Sequence, residues 1–289
     1  MVEASHAFID ALAAWAQGRD DVRTAMLLGS QARTDHPADR YSDIDVTLTV
    51  DDPEVFLGRR EWLDEIGPVL TDVIEATAIG GMVERRVLFA SGQDVDFSIV
   101  PAEMMALLDA FTEAAEVRQV FGRGVRLLVD KVDAAATMGG IGPPDPYSAS
   151  VGEESYVAVS KRFWYLLIAA AKKWCRGELW AAMSYCEGGL TTAVIELARF
   201  LTAVRDPSTD VWHGSRFLEE WLRPADLAEL AATRTGYGAV EGMTSLRRLG
   251  ELFRRLEDEL LNATNFGPAV DAAQLWSLFE NTIASRGID

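Results

Sequence analysis

Apolar residues recur at helical spacing between Ser5 and Gln17, at Phe8, Ile9, Leu12 and Trp15, and Ser5 stands where an N-cap belongs. The pattern then changes to a continuous apolar run, Val22 to Leu28, which predicts a strand that breaks at Gly29–Ser30 just before a helix start. Thr34 to Arg40, with Pro37 inside it, predicts a surface loop. From Tyr41 a second strand carries an acid at alternate positions, Asp43 and Asp45. Pro53 to Glu65 reads as a helix with proline in its first turn, ended by Gly67–Pro68. Strand-like runs follow at Val73 to Ile79 and Arg85 to Ala90. Ser91-Gly92-Gln93-Asp94 predicts a tight turn into a strand bearing Asp96, laid antiparallel to its predecessor. A helix from Pro101 to about Glu116 and a strand at Val125 to Val129 complete the first half.

The strongest cluster of chain breakers is Gly139-Gly140-Ile141-Gly142-Pro143-Pro144-Asp145-Pro146, which predicts a linker over residues 139–152 between domains 1–138 and 153–289. Beyond it the periodicity is helical throughout: Ser155 to Arg176, Leu179 to Val204, Ser215 to Leu222, Ala225 to Arg234, Gly242 to Asn262 and Val270 to Ser285. The expected fold class is α+β, a mixed sheet flanked by helices followed by an α-helical bundle.

The acids define the candidate chemistry. Side chains two apart on a strand share a face, so Asp43 and Asp45 project into one volume. Two carboxylates that close repel unless a cation lies between them, and hard oxygen ligands suit Mg²⁺. Asp96, on a later strand, supplies a third carboxylate, a metal ligand or the base for an attacking hydroxyl. Gly29 and Ser30 fit a turn whose backbone N–H groups cradle a phosphate, with Arg33 in reach of a phosphate or a carboxylate. The chain has four lysines, of which Lys161, Lys172 and Lys173 fall in one predicted helix. Lys161 and Lys172 are eleven residues apart and share a face, either to meet a triphosphate or as a solvated stripe.

Composition narrows the partners. With 49% apolar and 25% charged residues the chain is an ordinary globular protein. A net charge of −18 disfavours a protein that tracks a nucleic-acid backbone and favours a small cationic partner. No apolar run is long enough to span a membrane and the first residues lack a basic leader, so no membrane partner is expected. Cys175 and Cys186 read as buried thiols of a cytoplasmic protein, and a monomer is the simplest expectation. His6, His36 and His213 have no metal spacing.

Gly29–Ser30, then Asp43-Ile44-Asp45, then Asp96 in order resembles the signature of the nucleotidyltransferase superfamily that includes DNA polymerase β. Over most of the chain the likeness is to the aminoglycoside 6-adenylyltransferases, or streptomycin adenylyltransferases. It is carried by Tyr41 to Asp45, Gly92 to Phe97, Val129-Asp130-Lys131, Ala171 to Glu178 and Arg216 to Leu222. The resemblance implies a nucleotidyltransferase domain and Mg²⁺-dependent transfer of AMP from ATP to a hydroxyl of streptomycin. It makes Asp43 and Asp45 metal ligands, Asp96 the third carboxylate and Lys172 a phosphate contact. A guanidinium-bearing acceptor wants carboxylates and aromatic faces, for which Trp164, Trp174, Glu178 and Glu187 are the candidates. Two alternatives stay open: another small acceptor such as a lincosamide, and a non-catalytic nucleotide sensor on the same fold.

Overall fold

The structure, a computed structural model, describes residues 2–76, 83–108, 110, 112–145, 147, 151–211, 214–234 and 236–285. It forms two compact units, residues 1–145 and 146–289. The first begins with α1 (Val2–Gly18) and β1 (Val22–Leu27), then β2 (Ile44–Val50), α2 (Pro53–Gly58) and α3 (Glu61–Asp64). It continues through β3 (Val69–Ala76), β4 (Val83–Phe89), β5 (Asp94–Pro101), α4 (Ala102–Leu108), α5 (Ala115–Phe121), β6 (Arg126–Asp130) and α6 (Ala134–Gly140).

The strands make one mixed sheet in the order β3-β4-β5-β2-β1-β6. β2 and β5 run parallel with Asp45 opposite Asp96, and the other pairs are antiparallel. A parallel pair cannot be joined by a tight turn; the crossover is the whole segment from α2 through β4. The expected hairpin is present, with Gly92 at φ 89° and its N–H donating to the carbonyl of Phe89.

Strand alternation assigns the two faces. Val46, Leu48, Val87, Phe89, Val95 and Phe97 point to a core that also takes Ile9 and Leu12 of α1, Phe56 of α2 and Trp62 of α3. The intervening residues, among them Asp45, Thr47, Asp96 and Ser98, point the other way. Near the β1 end that second face is closed by Met26, Met105 and Ala134, and by a hydrogen bond of 2.6 Å between the buried hydroxyls of Thr24 and Thr49.

Several elements differ from the sequence expectation. The helix foreseen from Pro53 to Glu65 is two short ones, because the chain is extended at Arg59. The Trp62 indole N–H fills the break, donating to the carbonyls of Phe56 and Arg59 at 3.0 and 3.1 Å. The helix foreseen from Pro101 to Glu116 ends at Leu108, and a separate helix begins at Ala115. The strand foreseen at Val73 to Ile79 is displaced to Val69–Ala76, and residues 77–79 lie outside the described residues. The first two glycines of the breaker cluster are the last two residues of a helix, α6, that the sequence pattern did not mark. Asp130 builds its start by accepting from the N–H groups of Val132, Ala134 and Ala135, while Lys131 donates to the carbonyls of Ala16 and Arg19.

The second unit is helical: α7 (Glu153–Cys175), α8 (Leu179–Tyr185), α9 (Thr191–Arg205), α10 (Leu218–Trp221), α11 (Pro224–Ala232), α12 (Ala239–Ala263) and α13 (Ala272–Ala284). The single helix foreseen from Leu179 to Val204 is interrupted by a π turn at Cys186–Leu190, where Gly188 and Gly189 ease the extra residue. In the core, Phe163 of α7 stacks on Phe253 of α12 with ring centroids 3.7 Å apart. Beside them the buried carboxylate of Glu257 accepts from Tyr156, Ser160 and Trp164, at 3.1, 2.5 and 3.3 Å. No described helix is long and apolar enough to cross a membrane.

Trp62 both packs and caps, and the two contributions separate by mutation. Trp62→Phe is expected to lose about 1 kcal/mol, the net worth of a hydrogen bond. Trp62→Ala, which also opens a cavity against Phe97, is expected to lose about 3–5 kcal/mol. Urea unfolding of the two variants checks this.

Candidate active site

Asp43, Asp45 and Asp96 meet. One carboxylate oxygen from each lies within 4.8 Å of the others, and all three residues are partly exposed. Asp45 is the second residue of β2 and Asp96 the third of β5, so the parallel register alone sets them side by side. Asp43 is not on the strand as expected but one residue ahead of it. It is placed by the preceding turn, in which Asp39 Oδ1 accepts from the Tyr41 N–H at 2.8 Å and from the Ser42 hydroxyl at 3.2 Å.

The backbone at Gly29 passes close against Asp45 of this group. Its φ is +54°, and a Cβ built on it would fall 1.9 Å from Asp45 Oδ2. Only glycine satisfies both demands. The segment after it is not the start of a regular helix; Gly29–Gln31 is a single 3₁₀ turn, with the Ala32 and Arg33 N–H groups donating to the Gly29 carbonyl. The turn is tied to the acidic loop by Ala38 N–H donating to the Ser30 carbonyl at 2.9 Å, and to β2 by Leu28 N–H donating to the Asp45 carbonyl at 3.0 Å. Ser30 Oγ is buried and has no hydrogen-bond partner among the described residues. A hydroxyl in that state suits an incoming phosphate oxygen, and three convergent carboxylates suit a hard divalent cation. The residues present therefore fit Mg²⁺ and a nucleotide phosphate.

The far side of Asp96 is occupied by β4. Arg86 is Asp96's partner across the β4–β5 ladder. Its Nε and Nη2 donate to Glu84 Oε1 at 2.9 and 2.7 Å, while Nε stays 3.6 Å from Asp96 Oδ2. Burial pushes the Asp96 carboxyl up to about 7; Arg86 opposes the shift, and Glu84, Asp45 and Asp43 add to it. Neither Glu84 nor Arg86 figures in the sequence reading. The available signal was the alternation of β4, which puts both on the face shared with Asp96.

A sequence profile of the streptomycin adenylyltransferase family matches residues 2–279. The chain belongs to that family. It is thus a nucleotidyltransferase of the aminoglycoside adenylyltransferase kind. The aminoglycoside 6-adenylyltransferase of Campylobacter jejuni is 22% identical over 251 residues, covering 83% of this chain and 82% of that one. Among solved structures, an aminoglycoside 6-adenyltransferase from Bacillus subtilis aligns over 98% of both chains, at 16% identity and a TM-score of 0.46. A nucleotidyltransferase-like protein from Exiguobacterium sibiricum aligns over 90% of this chain and 77% of its own, at 11% identity and a TM-score of 0.34.

The remaining sequence candidates divide. Arg33 is buried and its guanidinium is paired with Asp35, at 2.9 Å from Nε and 2.5 Å from Nη2. With Ser30, Gln31, Asp39 and Arg126 it borders an open cavity of about 190 Å³ beside the turn. Lys161 and Lys172 are both exposed on α7, whereas Lys173 pairs with Glu178 at 2.5 Å. Trp164 and Trp174 are not acceptor contacts: both are buried in the bundle core, with indole N–H groups given to Glu257 and to the Ala239 carbonyl. Their helical spacing is the spacing of core residues. Glu178 is held by Lys173 and Arg176, and Glu187 is exposed in the π turn. His213 lies outside the described residues.

Two measurements test this geometry. Gly29→Ala is expected to cost about 1–2 kcal/mol for its left-handed backbone and, by displacing Asp45, to weaken Mn²⁺ binding by roughly 10–100-fold; thermal unfolding and Mn²⁺ titration read the two effects. Cation binding must also expel the Asp96 proton, so Mn²⁺ affinity is expected to climb with pH and level off above about 7. Because that pKa is raised above its unfolded value, the ion-free fold loses stability as pH rises towards 7. Asp96→Asn should flatten that slope.

Proposed function

We propose that this protein transfers AMP from Mg²⁺–ATP to a hydroxyl of streptomycin, by 6-O-adenylylation, and so inactivates the antibiotic. The observation that carries the reading is the convergence of Asp43, Asp45 and Asp96 beside the Gly29–Ser30 turn. Family membership supports the aminoglycoside as acceptor class, and the net charge of −18 favours attraction of a polycation.

In this reading the chemistry belongs to residues 1–138. Asp43, Asp45 and Asp96 would hold the divalent cations, whose charge, when they are bound, offsets that of the phosphate oxygens. Ser30 Oγ, buried without a partner among the described residues, donates to a phosphate oxygen of ATP. Asp96 takes the proton of the acceptor hydroxyl. That oxygen then bonds to the α-phosphorus in line, the α–β bridging P–O bond breaks and pyrophosphate leaves. Lys172, exposed on α7, is assigned a phosphate contact on the family resemblance. Arg33 would meet a phosphate only by leaving Asp35. Two free thiols fit a cytoplasmic setting.

The test is pyrophosphate release from Mg²⁺–ATP with and without streptomycin, for the wild type and for Asp96→Asn. The expected result is release that depends on streptomycin and falls by at least about 10²-fold in the variant, the usual worth of a general base. Release with another acceptor alone overturns the streptomycin assignment. ATP binding without release for any acceptor replaces the reading with that of a nucleotide sensor.

A further inference from the structure

Arg86 stands next to the reacting group without being spent on it. On the face of the sheet that carries the carboxylates, Arg86, Asp96 and Asp45 form one row across β4, β5 and β2. Neighbouring strands are about 4.8 Å apart, so the arginine is one strand spacing from Asp96. Had its role been to neutralise Asp96, a direct hydrogen bond would serve. Instead both Nε and Nη2 are given to a single oxygen of Glu84, and Asp96 is left at 3.6 Å, beyond hydrogen-bond range. The lone pairs of Asp96 stay available.

The side chain of Glu84 is largely buried, 13% exposed against 48% for Arg86, so it acts as a fixed anchor for a guanidinium that reaches solvent. Glu75, across from Glu84 in the β3–β4 ladder, lies 3.6 Å from the same Nε and limits the swing on the other side. What remains is Nη1, which makes no hydrogen bond to a described residue. An arginine clamped along one edge with a donor left over is a preorganised site for an anionic oxygen. The anion that the proposed reaction brings to Asp96 is the α-phosphoryl group, whose non-bridging oxygens spread sideways from the line of attack and gather charge as the group transfers.

On the proposed reading of the site, we infer that Arg86 is a catalytic residue whose Nη1 donates to a non-bridging oxygen of the α-phosphoryl group, and that Glu84 is the residue that positions it. Nucleotide binding and turnover test this separately. The first is titration of Mg²⁺ with the α,β-methylene analogue of ATP, which keeps the α-phosphoryl oxygens and cannot turn over. The second is streptomycin-dependent pyrophosphate release at saturating substrates. Arg86→Gln is expected to bind the analogue about tenfold more weakly, the range of one charge-assisted hydrogen bond, and to lower kcat by about 10²–10³-fold, as loss of one such donor does elsewhere. Arg86→Lys should recover part of both losses, and Glu84→Gln, which loosens the arginine, should fall in between with its main loss in kcat. Arg23→Gln, the same charge change in an exposed pair with Asp51 on β1, should match the wild type. Unchanged analogue binding in Arg86→Gln overturns the inference even if no acceptor gives turnover. So does a change confined to the KM of the acceptor, which would place Arg86 on the acceptor side. A wild type that binds the analogue but never releases pyrophosphate, with binding still weakened in Arg86→Gln, counts against the enzymatic reading alone.

Discussion

The parallel pairing of β2 with β5 puts Asp45 and Asp96 shoulder to shoulder, and most features of the first unit follow from holding that arrangement. At an effective dielectric of about 20, two unit charges about 5 Å apart repel by about 3 kcal/mol, and a third carboxylate, Asp43, enters the same space. Without cations, burial raises the Asp96 carboxyl to about 7, with Glu84, Asp45 and Asp43 adding to the shift and Arg86 alongside opposing it. The strain is local because β2 and β5 are buried on their other face by apolar side chains, Val46, Leu48, Val95 and Phe97 among them. That layer fixes register, since a slip of one residue would turn Asp45 and Asp96 into the core.

The Gly29 turn belongs to the same constraint. The chain leaves β1 and must pass within contact distance of Asp45, so no side chain fits at that position, and the positive φ adds a second requirement for glycine. The turn then delivers Ser30, whose buried hydroxyl has no hydrogen-bond partner among the described residues. A phosphate cradle and a cation site are two consequences of one close approach of backbone to side chain.

The helical unit solves a different problem. Its core is aromatic and large, with Phe163 flat on Phe253, and it admits the buried carboxylate of Glu257 only because three neutral donors converge on it. Burying a carboxylate without donors would be far costlier than leaving it in water. Trp164 and Tyr156 are therefore fixed by polar as well as apolar contacts. The exposed polar side chains of this unit, Lys172 and Glu187 among them, lie on the surface of that framework.

By itself the sequence determined the local elements with strong periodicity or strong breakers: the first strand, the Gly92 turn, the long bundle helices, and the order Gly29–Ser30, Asp43-x-Asp45, Asp96. These are legible because a two-residue or a 3.6-residue period, or a glycine with one conformational use, is written in neighbouring residues. The split of Pro53 to Glu65 into two helices was not, because it depends on Trp62 reaching back to two carbonyls. Nor was the π turn at Cys186. The fate of Trp164 and Trp174 was decided by packing, since a tryptophan at helical spacing looks the same whether it faces a core or a ligand. The tertiary structure also decided which strands are neighbours. Glu84 and Arg86 join the site only because β4 lies against β5, and β5 against β2. A charge on an alternating strand acquires its chemistry from what stands across the ladder, and that partner is chosen by the register of the sheet.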